Sequence, residues 1–217
     1  PLQGQVRAST SYSPVPRYGD PCHASTASPH PHAPSPSRRR FNDVSILNVT
    51  AGEWTLKECA GSAPPPRSHH TASTIEEEDD DDDLLRKTRH KVFIIGGFGG
   101  IGTSRDYFMD IHFLALDTWT WEKIPEQKGV PPSPRSDHTA CVAGDRIIIS
   151  GGRGWSHGKD PGFHHDVHML DVEKLQWSQF IVMGTAPHGR VSHTATLIKG
   201  EIHIFGGSAG GACYNDY

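Results

Sequence analysis

The sequence predicts an all-β fold, a β-propeller whose blades each contain four short antiparallel strands. Three observations predict it: one motif of six fixed residues occurs three times, paired glycines recur at a constant interval, and turn-forming residues are abundant. The 217 residues include 23 glycines and 17 prolines, above the usual shares of about 7% and about 5%. This composition favours short strands separated by turns over a bundle of helices.

The motif G-x-x-P-x-x-R-x-x-H-T-A occurs at residues 61–72, 129–140 and 184–195. A fixed period of this kind is stronger evidence for a fold than local propensities are. The motif places one guanidinium and one imidazole in every unit: Arg67 and His70, Arg135 and His138, Arg190 and His193.

Other landmarks keep the same phase. In each unit an apolar run ends in a glycine pair, an aspartate opens the next apolar run, and a tryptophan follows most of these aspartates at one constant interval. The glycines are Gly96, Gly97, Gly151, Gly152, Gly206 and Gly207; the aspartates are Asp43, Asp110, Asp166 and Asp216; the tryptophans are Trp54, Trp121 and Trp177.

One unit has a longer interval between its motif arginine and its glycine pair, from Arg67 to Gly96, than the next unit has from Arg135 to Gly151. The excess contains the acidic run 76–83, so we interpret this run as an insertion into the unit. Blocks of like charge stay solvated, which favours a simple extension of a hairpin. The alternative is a docking segment for a basic partner.

Four strands are predicted in the best-defined unit, at 138–143, 146–150, 166–171 and 175–181. The same template predicts strands at 91–95, 111–116 and 120–124 in the preceding unit. No window of helical length shows the apolar period of an α-helix. Four short strands in every repeat are typical of propeller blades rather than of a sandwich.

The glycine pairs, the spaced tryptophan and the four strands per unit resemble the kelch repeat, over residues 43–217. The long unit and its motif are most similar to kelch proteins built mainly of repeats, of the Rab9-effector and cell-polarity type, and less to adaptors with a BTB domain. The resemblance implies a β-propeller, and complete kelch propellers hold about six or seven blades. We therefore expect residues 41–217 to form three to four blades, some of them partial.

The N-terminal residues 1–40 fit the template poorly. Pro14 and Arg17 keep the P-x-x-R spacing, but Asp20 stands where the histidine should be, and 25–37 is rich in proline and serine. This segment is either a degenerate first blade or an error in the gene model. Because the chain begins with Pro1 and ends inside a predicted strand, we expect a fragment that self-associates when isolated.

The recurrent residues are predicted to be structural. The glycines need positive φ or close backbone approach, and the loop 96–100 lacks the spacing of a phosphate-binding loop. The three tryptophans are expected to fill the space between blades. The recurrent arginines and histidines are expected to bond the loops between blades, because equivalent positions in separate blades cannot surround one metal ion.

A second group of histidines lies outside the repeat motif: His157, His164, His165 and His168. Its spacing matches neither a zinc finger nor H-E-x-x-H. We interpret it as a histidine-rich surface loop, with metal binding as the alternative. No cofactor is predicted.

Composition limits the partners and the location. The formal net charge is −4, which provides no field for nucleic acid, and no apolar run is long enough to span a membrane. Four widely spaced cysteines with no C-x-x-C indicate reduced thiols. We expect protein partners, and a cytoplasmic or nuclear location.

Function is predicted to be that of a non-catalytic scaffold for protein–protein interaction. One alternative is a galactose-oxidase-like enzyme, for which Tyr107, Tyr214, Tyr217 and Cys213 would be the nearest ligand candidates, without a defensible pattern. The other is a kelch module attached to a separate enzyme domain, such as a phosphatase or a tRNA-modifying methyltransferase.

The partner-binding residues are predicted in the connections between second and third strands, whose length varies while the strands keep phase. These connections should emerge on one face, and arginine, tyrosine and tryptophan are enriched at interaction hot spots. The alternative is that binding uses the opposite face. The predicted residues are Arg105, Tyr107, Arg153, Trp155, His157 and Lys159.

Overall fold

The computed structural model describes residues 40–78, 88–100, 106–156 and 160–217. The chain divides into two units, Pro1–Ser37 and Arg38–Tyr217, and all the described residues belong to the second. Strands, turns and loops account for every described residue, so these ranges contain no helix that could cross a membrane.

The first full blade contains four antiparallel strands, Thr71–Glu78, Thr88–Ile95, Ile111–Ala115 and Thr120–Ile124. Successive strands pair in register, for example Ile75 with Lys91. A short fifth strand, Ala60–Gly61, adds in parallel to the outermost strand. The first two strands extend past the repeat because Glu76–Glu78 pair with Thr88–His90; the rest of the acidic run, 79–83, lies outside the described residues.

The second full blade repeats this order with Thr139–Ala143, Arg146–Ser150, Val167–Asp171 and Gln176–Gln179. Lys128–Gly129 adds in parallel to its outermost strand. The four strands predicted for this unit are confirmed, although the fourth ends at Gln179 rather than at the predicted position 181.

Half-blades flank these two blades. Val44–Asn48 pairs with Glu53–Lys57, in the positions of a third and a fourth strand. Thr194–Ile198 pairs with Glu201–Phe205, in the positions of a first and a second strand. The described residues therefore form parts of four consecutive blades, which confirms the predicted all-β propeller architecture.

The predicted loops between second and third strands contain short hairpins. Phe98–Gly99 pairs with Asp106–Tyr107, Arg153–Ser156 with Asp160–Phe163, and Ser208–Ala209 with Ala212–Cys213. In both full blades the segment that begins with the motif arginine adds a third strand, Arg67–Ser68 or Arg135–Ser136. These connections are thus small sheets tied to the start of their own blade.

The main apolar core lies between the two full blades. Phe93 and Ile95 of the first blade join Ile147, Ile149 and Trp177 of the second in one buried cluster. Trp177 is 1% exposed. Trp121 is also buried and packs in a second cluster, against Val44 of the leading half-blade. Both tryptophans therefore contact the blade that precedes their own.

Trp54 departs from the expectation for the three tryptophans, because it is 70% exposed. Its strand belongs to the leading half-blade, and the described residues contain no blade on the side where Trp121 and Trp177 find their neighbours. Equivalent sequence position therefore does not ensure equivalent burial.

Candidate functional site

Two neighbouring hairpins form a continuous surface at one end of the full blades. Trp155 Nε1 donates a hydrogen bond to Asp106 Oδ1 at 2.5 Å. The rings of Tyr107 and Trp155 meet edge to face, with centroids 5.8 Å apart and planes at 85°. We call this surface the hairpin face, formed by strands Phe98–Gly99, Asp106–Tyr107, Arg153–Ser156 and Asp160–Phe163.

The structure brings together part of the predicted partner-binding set. Tyr107 is half-buried, Arg153 is exposed, and Trp155 is 38% exposed. The guanidinium of Arg153 lies 5.6 Å from the ring centroid of Phe163 on its own hairpin. The other predicted residues, Arg105, His157 and Lys159, lie outside the described residues.

Sequence reasoning missed three members of this surface. Phe98 packs on Tyr107 with centroids 5.0 Å apart, and the guanidinium of Arg40 covers Phe98 at 5.0 Å. Asp106 is the third, because it accepts the bond from Trp155. Phe98 could have been identified from the sequence, because it is an aromatic residue inside the glycine-rich loop. Arg40 and Asp106 could not, because neither position follows the repeat.

The guanidinium of each motif arginine binds the aspartate that opens the third strand of its own blade, whereas the sequence predicted bonds to the loops between blades. Arg67 binds Asp110, Arg135 binds Asp166, and Arg190 binds Asp216, each with two hydrogen bonds of 2.6–2.9 Å. Each Nη1 also donates to the carbonyl of the first glycine of the pair, as Arg135 does to Gly151 at 3.1 Å. None of the three arginines is more than 5% exposed.

These ion pairs keep the carboxylates charged. Burial raises the pKa of Asp166, but the hydrogen bonds from His168 and Arg135 outweigh it and hold the pKa far below the ordinary value. The balance is the same for Asp110, whose pKa is lowered by Arg67 against the effect of burial. The hydrogen bond from Arg190 lowers the pKa of Asp216.

The motif histidines connect successive blades. His138 Nε2 lies 3.0 Å from Thr71 Oγ1 of the preceding blade, and His193 Nε2 lies 2.9 Å from Thr139 Oγ1. Burial, helped by the charge of Arg135, lowers the pKa of His138 to about 3. His70 is exposed. The two buried histidines occupy the same place in different blades rather than surrounding one point.

The glycines are required by backbone approach as well as by φ. Gly151 has a φ of 68°, and a Cβ there would lie 2.7 Å from His193 Cε1. At Gly129 a Cβ would lie 2.1 Å from the carbonyl oxygen of Trp177. The loop 96–100 accordingly serves the contact between blades, where the amide of Gly97 donates to the carbonyl of Arg135.

The histidines outside the motif do not form one cluster in the described structure. His168 is buried on the third strand, with Nε2 2.9 Å from Asp166 Oδ2. His164 is half-buried and His165 is exposed. His157 lies outside the described residues. Within the described ranges no group of three or more His, Cys, Asp or Glu side chains could hold a metal ion.

The ligand candidates of the oxidase alternative have separate surroundings. Tyr107 packs in the hairpin face, Tyr214 stacks on His188 with centroids 6.3 Å apart, and Tyr217 stacks on His203. Among the described residues Cys59, Cys141 and Cys213 are free thiols. Burial raises the pKa of Cys141, so its thiol stays protonated.

Glycine pairs at strand ends, a buried tryptophan on the fourth strand and repeated four-stranded blades define a kelch-type β-propeller. The sequence model of the KLHDC2/KLHL20/DRC7 Kelch-repeats domain matches residues 34–217. The chain belongs to this kelch-repeat family, as the sequence resemblance predicted.

Individual relatives agree with this assignment. The human Rab9 effector protein with kelch motifs is 30% identical over 179 residues, covering 82% of this chain and 43% of that protein. Acyl-CoA-binding domain-containing protein 5 of Arabidopsis thaliana is 40% identical over 110 residues, covering 51% of this chain and 16% of that protein. The chain thus spans less than half the length of these curated relatives.

A solved structure confirms the architecture. The structure of YjhT superposes with a TM-score of 0.54 and 16% sequence identity, over 76% of this chain and 52% of that one. Identity at this level supports the fold alone.

Proposed function

We propose that this chain is a non-catalytic scaffold that binds a protein partner through the hairpin face. The contact between Trp155 and the neighbouring hairpin carries the proposal, because it makes one continuous aromatic surface from two connections. Aromatic rings next to exposed guanidinium groups are the composition of interaction hot spots. The name of the Rab9 effector relatives, which describes a protein partner for those proteins, supports the same class of function.

The surface is organised before a partner arrives. Trp155 is held by Asp106 and Tyr107, and Arg153 lies over Phe163, so little side-chain freedom remains to be lost on binding. Rigid aromatic anchors bind at low entropic cost. This arrangement favours recognition of a partner without a large rearrangement of the hairpins.

Hydrogen–deuterium exchange of the chain with its captured partner tests the proposal. We expect slower exchange on binding in strands Phe98–Gly99 and Arg153–Ser156, with no change at the turn between Ala143 and Arg146 at the opposite end of the second blade. Slower exchange confined to that turn would instead assign binding to the opposite face.

We also propose that the chain forms the kelch module of a protein that has a separate further domain. The Arabidopsis relatives favour this proposal, because the matched part is a small share of proteins named for an acyl-CoA-binding domain. The sequence of the complete transcript would test it: a further domain supports the module, and kelch repeats alone contradict it.

The free thiols of Cys59, Cys141 and Cys213 support a reducing compartment, and we propose a cytoplasmic or nuclear location. Imaging of the tagged full-length protein tests this location. Fluorescence confined to the secretory pathway would contradict it.

A further inference from the structure

The second full blade contains a polar pocket of about 240 Å³ beside Trp155. We call it the Trp155 pocket; it is lined by Pro131, Pro132, Ser133, Trp155, His164, Asp166, His168 and Gln179. It opens next to the hairpin face, so a group of a partner bound there could enter it.

The first full blade carries different residues at the same positions. His164 and Phe108 are equivalent, because each donates its amide to the carbonyl of the second glycine of its pair, at 2.8 Å. Ser133 and Pro65 are equivalent, because the carbonyl of each accepts from Nε of the motif arginine.

Strand register gives the third equivalence, since Gln179 pairs with His168 as Lys123 pairs with His112. The backbone of a blade therefore accepts Pro65, Phe108 and Lys123 at these three positions. The polar trio Ser133, His164 and Gln179 is specific to the second blade.

Aromatic rings cover the motif arginine in the other units. The guanidinium of Arg67 lies 4.3 Å from the ring centroid of Phe108, and that of Arg190 lies 4.6 Å from that of Tyr214. His164 replaces this ring in the second blade, and its Nε2 lies 3.4 Å from Ser133 Oγ. In the second blade, the aromatic ring over the motif arginine is thus replaced by side chains that form hydrogen bonds.

The pocket offers hydrogen-bond acceptors without an unpaired charge. Arg135 and Asp166 neutralise each other through two hydrogen bonds. His168 Nε2 lies 2.9 Å from the Asp166 carboxylate, which only accepts, so Nε2 carries the proton in the singly protonated ring and Nδ1 is left as an acceptor. Nδ1 is buried and has no partner in the described structure. Burial and the charge of Arg135 lower the pKa of His164, which leaves its ring neutral as well.

We propose that the Trp155 pocket binds a small uncharged hydrogen-bond donor, a carboxamide or hydroxyl group on a side chain of the protein partner. The proposal rests on the proposed function. An anionic group would face the Asp166 carboxylate and find no free cation among the described residues of the pocket. A cationic group would meet a carboxylate that Arg135 already neutralises. The indole of Trp155 provides an apolar wall for the carbon atoms of the group.

Binding of small probes tests this chemistry without the partner. Acetamide, acetate and methylammonium are titrated separately into the protein, and the indole N–H signal of Trp155 is followed by NMR. We expect a saturable shift with acetamide, and binding of acetate and methylammonium at least about fivefold weaker, the effect of one net hydrogen bond of about 1 kcal/mol.

Residues of the first blade supply variants that the frame accepts. His164→Phe should weaken acetamide binding about fivefold or more while the thermal midpoint stays unchanged. Ser133→Pro should weaken acetamide binding by a similar factor and lower the thermal midpoint, because it also removes the hydrogen bond from Arg135 Nη2 to Ser133 Oγ. Phe108→His is the matched control. It makes the reverse exchange of residue types at the equivalent position of the first blade, where Gly100 replaces Trp155 and the wall of the pocket is missing. It should leave acetamide binding unchanged.

Three results would contradict the binding chemistry proposed for the Trp155 pocket. They are the absence of a saturable shift at Trp155, acetate binding as tight as that of acetamide, and full acetamide binding by the His164→Phe variant. None of these affects the proposed hairpin face, because the probe titrations contain no partner and the face is tested separately by hydrogen–deuterium exchange in strands Phe98–Gly99 and Arg153–Ser156. The two proposals can therefore fail independently.

Discussion

Arg135 is the most deeply buried charge in the described structure, at 0% exposure, and Asp166 neutralises it. Such a pair costs desolvation energy, and its geometry compensates through five hydrogen bonds to one carboxylate and two loop segments. The repeated arginine therefore fixes the start of the third strand relative to the glycine pair.

Replacing Arg135 by leucine should lower the free energy of unfolding by about 3–5 kcal/mol, because it leaves the Asp166 carboxylate without its main partner. Arg146→Leu is the control. Arg146 is half-exposed, and its Nε lies 3.8 Å from Asp145 Oδ1. Such surface ion pairs contribute about 0–1 kcal/mol to the free energy of unfolding. Urea denaturation of both variants measures the difference; equal losses would contradict a structural role for the buried pair.

The buried imidazole of His138 makes the free energy of unfolding depend on pH. Its pKa falls from 6.5 in the unfolded chain to about 3 in the folded one, so the unfolded state binds the proton more readily. The stabilising contribution is complete above pH 6.5 and is lost as the pH falls toward about 3.

The His138→Gln variant should therefore show a weaker loss of stability between pH 6.5 and about pH 4 than the parent chain, when urea denaturation is repeated across this range. His165→Gln removes an exposed histidine and should retain the full slope. An unchanged slope in the His138 variant would show that this imidazole does not control the acid response.

At the level of strands, periodicity predicted most of the architecture. Apolar runs that end in a glycine pair located the second strands of both full blades, and apolar runs that begin with an aspartate located the third strands, because both are largely buried. The hairpins at the hairpin face could not be predicted, since their strands are two to four residues long and vary in sequence.

Positive φ at a non-glycine position also went unpredicted. His69, Asp137 and Ser192 share a φ of 56–59° at one point of the motif. Their three residue types give no common signal, although all are polar. Backbone conformation here follows from the bonds between loops, such as that from the Asp137 amide to the His69 carbonyl.

The fourth strands contribute unequally to stability. Trp177→Ala should cost about 3–5 kcal/mol, because it empties a site in the core between blades. Trp121→Ala should cost a similar amount, whereas Trp54→Ala should cost less than about 1 kcal/mol because its ring is exposed. Denaturant unfolding of the three variants provides the measurement, and a large loss at Trp54 would contradict the packing described here.

For the molecule as a whole, the repeated sequence motif made the fold predictable. The connections that form the hairpin face do not repeat, and this limited the prediction of the site. Residues such as Arg135 and Trp177 recur in phase, so their roles could be inferred from one another. Tyr107 and Trp155 belong to connections that differ between units, and their contact depends on how adjacent blades are placed. The polar pocket beside Trp155 was missed for the same reason.

Affinity for the captured partner tests whether the hairpin face is the binding surface. The double variant Arg153→Ala with Trp155→Ala removes one exposed cation and one aromatic anchor from the face. The control pair, Arg146→Ala with Val142→Ala, removes an arginine and an apolar residue near the opposite end of the same blade.

Calorimetry with the full-length protein measures both pairs, with the thermal midpoint as a check on folding. We predict that the hairpin-face variant loses about 2 kcal/mol or more of binding free energy while its midpoint stays nearly unchanged and the control binds normally. Undiminished affinity in the hairpin-face variant, together with weaker binding by the control, would show that the partner binds the opposite face of the blades.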